Sequence, residues 1–440
     1  MKIFPKTFIF GAATSAYQIE GAAASDGRGK TAWDLHNKDE NGIPFGDTGD
    51  VACDHYHLYK EDVALMKSMG LQSYRFSVSW TRIYPNGFGE INPKGVEFYQ
   101  NLINELIASG IEPAITIWHG DLPLALDQMG GWLNRETITH YLHYAKTLFD
   151  LFGKQVKLWF THNEPWCAAF LNSQPIHEQL QIAHHLLVAH AKAVSLYKNH
   201  PNGHGKIGIV LNLGKQYPNT YDVKDYEAAR NIDGFINRWF LDPTLKGIYP
   251  ADMVSLYRKH EIYFKVESGD MELIDENKMD FLGINMYSRG IQAYNEEGLF
   301  HARGVHNPNA LYTSMDWEVC PKSLYDLLID IKYNYDNIEV IIAENGSAFE
   351  DTVKENQIHD QDRVNYLKSH LEALHQAIDE GCNVTRYYAW SLFDNFEWGL
   401  GFSKRFGLIR VDYDTLKRTI KESGLAYQKI IQDRGLEDAV

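Results

Sequence analysis

The 440-residue chain is short of several things, and each shortage excludes something. It has only four cysteines. Cys53, Cys167, Cys320 and Cys382 are scattered and form no C-x-x-C pair, which removes a zinc framework of paired thiolates and leaves a disulfide scaffold without support. Basic residues are outnumbered, 42 Lys and Arg against 58 Asp and Glu, for a net charge of −16. Nucleic acid and anionic membrane need a basic footprint, so neither is expected as a partner. No apolar run approaches the ~18 residues of a membrane helix. The N-terminal stretch MKIFPKTFIFGAATSAYQIEG is broken by Pro5 and Lys6 and then meets Gln18 and Glu20, a poor signal-peptide core. The expectation is a soluble, cytoplasmic protein. Linkers rich in Ser, Gly or Pro, charge blocks and low-complexity tracts are missing as well, so 1–440 is expected to be one catalytic domain.

What is present is an ordinary globular mixture, 44% apolar, with 10 Trp, 26 Tyr and 21 Phe. An acidic, aromatic-rich chain suits an uncharged substrate with flat faces, such as a sugar. Short β-type runs alternate with longer helical patterns. The runs are 8–14, 74–80, 112–119, 157–163, 206–213, 280–288, 340–346 and 385–393, rich in Val, Ile, Phe, Tyr and Trp. Between them, residues 95–109 carry an apolar face at Val96, Tyr99, Leu102, Ile103 and Leu106 with Gly110 as the stop. Residues 136–152 end at Gly153 and residues 361–380 at Gly381 in the same manner. Eight strand–helix units predict an α/β fold, a single (β/α)8 barrel with elaborated βα loops. The runner-up, an open doubly wound sheet, lacks a GxGxxG fingerprint after its first strand.

In such a barrel the site lies at the carboxyl ends of the strands. The eight ends present Gln18, Arg75 with Trp80, His119, Asn163-Glu164-Pro165, Asn212, Asn285 with Tyr287, Glu344-Asn345-Gly346 and Trp390. Singly, each has a plain reading: Asn-Gly is a turn signal, Glu-Pro a way to leave a strand, and a strand-end His a satisfied structural residue. Together, two carboxylates with an amide, an Arg and a Tyr around them suit glycoside hydrolysis, in which one carboxyl protonates the departing oxygen and the other attacks or activates water. Metal chemistry fits less well. Asp54-His55-Tyr56-His57 reads as the opening of a solvated helix, and His184 and His185 cannot share a helix face. No cofactor and no metal is expected.

At these residues the chain resembles glycoside hydrolase family 1, the β-glucosidase and β-galactosidase family. The motifs are FGAATSAYQIEG (10–21), YRFSVSW (74–80), THNEPWC (161–167), AHHLLVAH (183–190), GINMYS (283–288), AENG (343–346), WSLFDNFEW (390–398) and SKRFGL (403–408). The resemblance implies a retaining mechanism through a covalent glycosyl-enzyme, with carboxyls about 5–5.5 Å apart. It implies Glu164 as general acid/base and Glu344 as nucleophile. Arg75 and Tyr287 would hold Glu344, Asn163 would bind the sugar 2-OH, and Asn285 would support the pair. Gln18, His119, Glu397 and Trp398 would read the other hydroxyls over a Trp390 floor. Trp317 would form the platform beside the leaving group, and Trp166 either lines that side or packs in the core.

Family members that cleave 6-phosphorylated sugars grip the phosphate with cationic and hydroxyl groups. Lys404 is compatible with that, but Glu397 replaces a small hydroxyl residue and Phe406 replaces Tyr, so the free sugar is favoured. Three further departures from the family pattern are Gly120 for Trp, Ala343 for Thr and Met286 for Tyr, and the loop after Trp166 is short. Losing the indole at 120 opens space beside the sugar unless Trp118 or another aromatic swings in. The resulting expectation is a retaining exo-β-glycosidase acting on small β-glucosides or oligosaccharides, with galactosides and fucosides as further substrates. The alternatives are a 6-phospho-β-glycosidase, a transglycosylase, or a sugar-binding protein that has lost turnover. Oligomeric state is not legible in the sequence.

Overall fold

The eight predicted runs become the eight strands of a closed parallel barrel. They are β1 (Ile9–Ala13), β2 (Ser73–Ser77), β3 (Glu112–Trp118), β4 (Leu158–Asn163), β5 (Lys206–Asn212), β6 (Phe281–Asn285), β7 (Val340–Asn345) and β8 (Val384–Trp390), each paired with its sequence neighbours and β8 with β1. The computed structural model describes residues 2–36, 46–355 and 357–437. Parallel strands buried on both faces read as near-continuous apolar runs, which is why the pattern was legible. Strand 2 ends earlier than expected. Trp80 opens a short helix, Trp80–Ile83, where it is fully buried and stacked 4.9 Å from Tyr144, so it does not face the mouth.

The helices that cover the barrel form for local reasons. In chain order the ones used below are α1 (His55–Ser68), α2 (Pro93–Ala108), α3 (Glu136–Phe152), α4 (Pro165–Phe170), α5 (Ile176–Lys198) and α6 (Gln361–Asp379). Helix α2 starts with Pro93 at its first position, while the Asn92 side chain accepts from the Lys94 N–H at 3.2 Å. Its face of Phe98, Tyr99, Leu102, Ile103 and Leu106 is buried against the strands, and each such Leu or Ile contributes about 1.5–3 kcal/mol. The stops differ in kind. Gly110 and Gly381 are left-handed, with φ of 77° and 87°, whereas Gly153 is right-handed at −64°. Gly153 is small because a Cβ there would lie 2.5 Å from the Phe149 carbonyl oxygen and 2.9 Å from Asn202.

Helix α1 does not open into solvent as read from the sequence. Asp54 takes a left-handed φ of 53°, His55 is buried with its Nδ1 2.8 Å from Asp62, and of Asp54–His57 only His57 is exposed. On α5, His184 meets Tyr249 and Asp270, while His185 meets the Trp132 carbonyl and Gln181. The two rings serve separate packing contacts, as their spacing requires. Among the described residues no helix is long and apolar enough to cross a membrane, and no group of three or more His, Cys, Asp or Glu is placed to hold a metal.

The barrel interior is a packed core. Ala13, Ala114, Phe160, Phe281, Ile341 and Tyr388 fill it, and the Arg75 guanidinium lies 5.1 Å above the Phe160 ring. That arrangement lifts one buried cation toward the carboxyl ends of the strands. The β4–β5 register slips between Phe160 and Asn163, and the β6–β7 register between Ile342 and Glu344. Irregularities of this kind re-aim side chains, and these two adjoin Asn163-Glu164 and Glu344.

Candidate active site

Glu344 stands near the end of β7 and is buried. Arg75 from β2 donates to its Oε1 through Nη1 at 2.8 Å, and the Tyr287 hydroxyl donates to Oε2 at 2.6 Å. The guanidinium is itself fixed: Nε donates to Thr116 Oγ1, Nη1 also to the Ala343 carbonyl, and Nη2 to Asn163 Oδ1 at 2.7 Å. Asn163 Oδ1 receives a second bond from Asn285 Nδ2 at 3.1 Å, and the same Asn285 nitrogen donates to Glu164 Oε1 at 2.8 Å. A continuous chain of hydrogen bonds therefore joins the two carboxyls: Glu344, Arg75, Asn163, Asn285, Glu164. Five of the six expected catalytic and supporting residues lie on it, and the sixth, Tyr287, donates to its Glu344 end. Register explains the meeting, because Asn285 is the direct partner of Glu344 across β6–β7.

Glu164 follows β4 with a left-handed φ of 49°, uncommon outside glycine, and Pro165 then begins α4. The ENG motif is no simple turn. Asn345 Nδ2 donates to the Met286 carbonyl at 2.6 Å and to Tyr366 Oη at 3.1 Å, while the Tyr387 hydroxyl donates to Asn345 Oδ1 at 2.9 Å. A Cβ on Gly346 would fall 1.7 Å from the Trp390 carbonyl oxygen, so only glycine lets β7 leave beside β8. Tyr366 and Thr116 were missed by sequence reasoning. Neither lies in a recognisable motif, and each acts by supporting a residue that does.

Around this chain the aromatic side chains form the walls. His119 is buried, its ring nearly parallel to those of Trp390 (5.9 Å) and Trp398 (6.2 Å), and Trp398 stacks on Tyr17 at 6.1 Å. The room left at Gly120, where φ is 84°, is taken by Trp398, whose ring edge comes within 3.6 Å of a Cβ built there. Trp118 does not swing in; it packs against Trp132 and His162. Met286 is fully buried in the large outer cluster rather than the barrel interior, so its departure from Tyr is a matter of outer packing. Ala343 serves through its carbonyl, which accepts from Arg75.

Gln18 is completely buried, and its amide donates to Asn395 Oδ1 and the Phe396 carbonyl, so it holds the loop that carries Glu397. Glu397 Oε2 is buried with no hydrogen-bond partner among the described residues. Trp317 packs on Tyr287 at 5.0 Å and on Phe406 at 6.0 Å. Phe406 is itself buried beneath them. Trp166 contacts Phe170 and Phe235, half-buried in an aromatic wall. Lys404 Nζ donates to the Ser314 carbonyl at 2.7 Å.

The electrostatics separate the two carboxyls by partner rather than by burial alone. Burial raises Glu164 above the ordinary carboxylate range, and its donors, Asn285 and the Cys167 thiol at 3.3 Å, carry no charge. Burial also pushes Glu344 up, to about 7, helped by the charge of Glu164 and opposed by Arg75 and Tyr287. Arg75 and Tyr287 both favour the ionised form of Glu344, whereas no charged group donates a hydrogen bond to Glu164. Burial and the same two glutamates push Glu397 up to about 8. Burial and Arg75 hold His119 well below the usual histidine range, so its ring is neutral. Asn163 Nδ2 donates to His119 Nε2 at 2.9 Å, which places the ring proton on Nδ1. That nitrogen is buried and has no partner among the described residues.

Comparison with known proteins finds similarity over nearly the whole chain. Residues 1–436 match the model of glycosyl hydrolase family 1. A protein named beta-glucosidase A from Acetivibrio thermocellus is 43% identical over 98% of this chain and 99% of its own length. A second beta-glucosidase A, from Thermotoga maritima, is 41% identical over the full length of both. A solved family 1 β-glucosidase from Thermotoga maritima superimposes with a TM-score of 0.96, covering 99% of each chain.

Proposed function

The chain belongs to glycosyl hydrolase family 1, and from that premise we propose that it is a retaining exo-β-glycosidase of β-glucosidase type. Glu344 is the nucleophile and Glu164 the general acid/base. The observation that carries the assignment is the hydrogen-bond chain between them: the strong donors, Arg75 and Tyr287, sit on Glu344, and neutral donors sit on Glu164. In the first step Glu344 attacks the anomeric carbon while Glu164 gives its proton to the departing oxygen. In the second, Glu164 takes a proton from water, which displaces Glu344 and restores the β configuration. Asn163 has one amide N–H left after its bond to His119, aimed to hold the 2-OH as positive charge grows on the ring. His119 Nδ1–H, Glu397 and Trp398 take further hydroxyls, and Trp390 is the stacking floor. Trp317 flanks the leaving group.

The unphosphorylated sugar is the substrate because Glu397 brings a buried carboxyl to the place a phosphate would need, while Lys404 is spent on a backbone carbonyl. A panel of chromogenic β-glycosides with and without a 6-phosphate tests this. Turnover of β-glucoside at least about 100-fold above its 6-phosphate is expected, since the phosphate's charge would be buried beside Glu397 with no cation to pair it, which costs several kcal/mol. Preference for the phosphorylated sugar, or no turnover of any member, would overturn the reading.

Removing the Tyr287 hydroxyl has a definite sign. It donates to the ionised form of Glu344, so Tyr287→Phe raises the nucleophile further above its already elevated position. Glu344 must be ionised to attack, and activity is lost as pH falls and it takes up a proton. The acid limb of kcat/KM therefore moves to higher pH, by about one unit, and kcat drops by about 100-fold. A pH–rate profile with an unmoved acid limb would remove Tyr287 from this role.

A further inference from the structure

Cys167 is the one thiol in direct contact with the acid–base pair. It lies at the third position of α4, three residues after Glu164, and grips that residue twice: its N–H donates to the Glu164 carbonyl at 3.0 Å, and its thiol donates to Glu164 Oε2 at 3.3 Å. Asn285 holds the other oxygen, Oε1. The two donors come from different elements, α4 and β6, and each holds one oxygen of the carboxyl. Trp166 and Phe170 on the same short helix pack against Phe235, which fixes the helix that carries the thiol.

We propose that Cys167 is a positioning residue for general acid/base catalysis, its thiol orienting the Glu164 carboxyl through a bond weak enough to leave it protonated. The proposal rests on the reading of Glu164 as the acid. A carboxyl that must begin each cycle as COOH is poorly served by strong donors on both oxygens, because each stabilises the ionised form. A thiol is a weak donor with a long reach, so it fixes direction at little cost to the proton. The contrast with Glu344 is chemical: the group that must be ionised has a guanidinium and a phenol, and the group that must carry a proton has an amide and a thiol. The thiol also stays a donor throughout the working range, since burial and the charges of Glu164 and Glu344 push its own ionisation well above the usual value. The ionisable groups that face Glu164 are Arg75 from β2, Glu344 from β7, Tyr287 after β6 and Glu397 after β8, besides Cys167 itself.

The test compares Cys167→Ala and Cys167→Val with the unaltered enzyme, using a poor (alkyl) and an activated (dinitrophenyl) β-glucoside across the pH range. Losing the donor raises Glu164, so the alkaline limb of kcat/KM moves up by about half a pH unit in both variants. The freed carboxyl also loses its aim, so kcat/KM for the alkyl glucoside falls by about 3–10-fold while that for the dinitrophenyl glucoside changes less than about twofold. A merely structural role would lower both substrates equally and leave the limb in place, and that result overturns the proposal. Glu164→Ala is run beside them. If it too fails to distinguish the substrates, the assignment of the acid is what fails; if it distinguishes them and the Cys167 variants do not, only the positioning role is lost.

Discussion

Glu344→Gln is expected to lower kcat/KM by about 10⁵-fold or more on every β-glucoside, whatever its leaving group. The amide is nearly isosteric and keeps an oxygen for Arg75 or Tyr287, so the walls of the site stay in place and only the nucleophile is gone. Leaving-group chemistry offers no escape, because the missing bond is the one to the anomeric carbon. The loss should therefore be as large for dinitrophenyl as for alkyl glucosides. A 2-fluoro sugar with an activated leaving group provides the direct check. Its electron-withdrawing fluorine slows both steps, the good leaving group rescues the first, and the glycosyl-enzyme accumulates. Mass spectrometry should find one sugar on the peptide containing Glu344. A label on any other residue, or a loss below about 100-fold for Glu344→Gln, would remove Glu344 from the reaction.

How much of this was legible beforehand depends on what kind of information each feature carries. The barrel was, because β-type runs and helical faces repeat with periods that a single sequence displays. The strand ends were less so: Trp80 is as apolar as the residues before it, and only the tertiary contact with Tyr144 shows that it has turned into a helix. His55 looked solvent-facing because its partner Asp62, two turns on, is visible only as one of many acids. The site residues that sit in ordered motifs were legible by resemblance. Their supports were not. Thr116 is 41 positions from the Arg75 it holds, and Tyr366 reaches Asn345 and the Tyr287 carbonyl from α6. Periodicity says which face of an element is buried, not which side chain it meets there. The role of Gly346 falls between the two: its place in the motif was visible, but the close approach of the Trp390 carbonyl that requires it is a property of the closed barrel.

Glu164→Ala should behave quite differently from the nucleophile variant, because the proton it supplies is needed by some substrates and not by others. An alkoxide is too basic to leave unaided, so kcat/KM for alkyl glucosides should fall by about 10³–10⁴-fold. Dinitrophenolate leaves without protonation, and its kcat/KM should stay within about tenfold of the unaltered enzyme. The second step then becomes the obstacle. Water must attack without a base, the glycosyl-enzyme on Glu344 accumulates, and kcat falls even where kcat/KM does not. Azide needs no base and fits the space left by the carboxylate, so it should restore kcat on the activated substrate and yield the β-glycosyl azide. The alkaline limb of the pH profile should disappear too, since the group whose deprotonation causes it has been removed, while the acid limb set by Glu344 persists. Equal losses on both substrates, or azide having no effect, would show that the proton comes from elsewhere. The chain of bonds from Glu344 to Glu164 would then be scaffolding for a single working carboxylate.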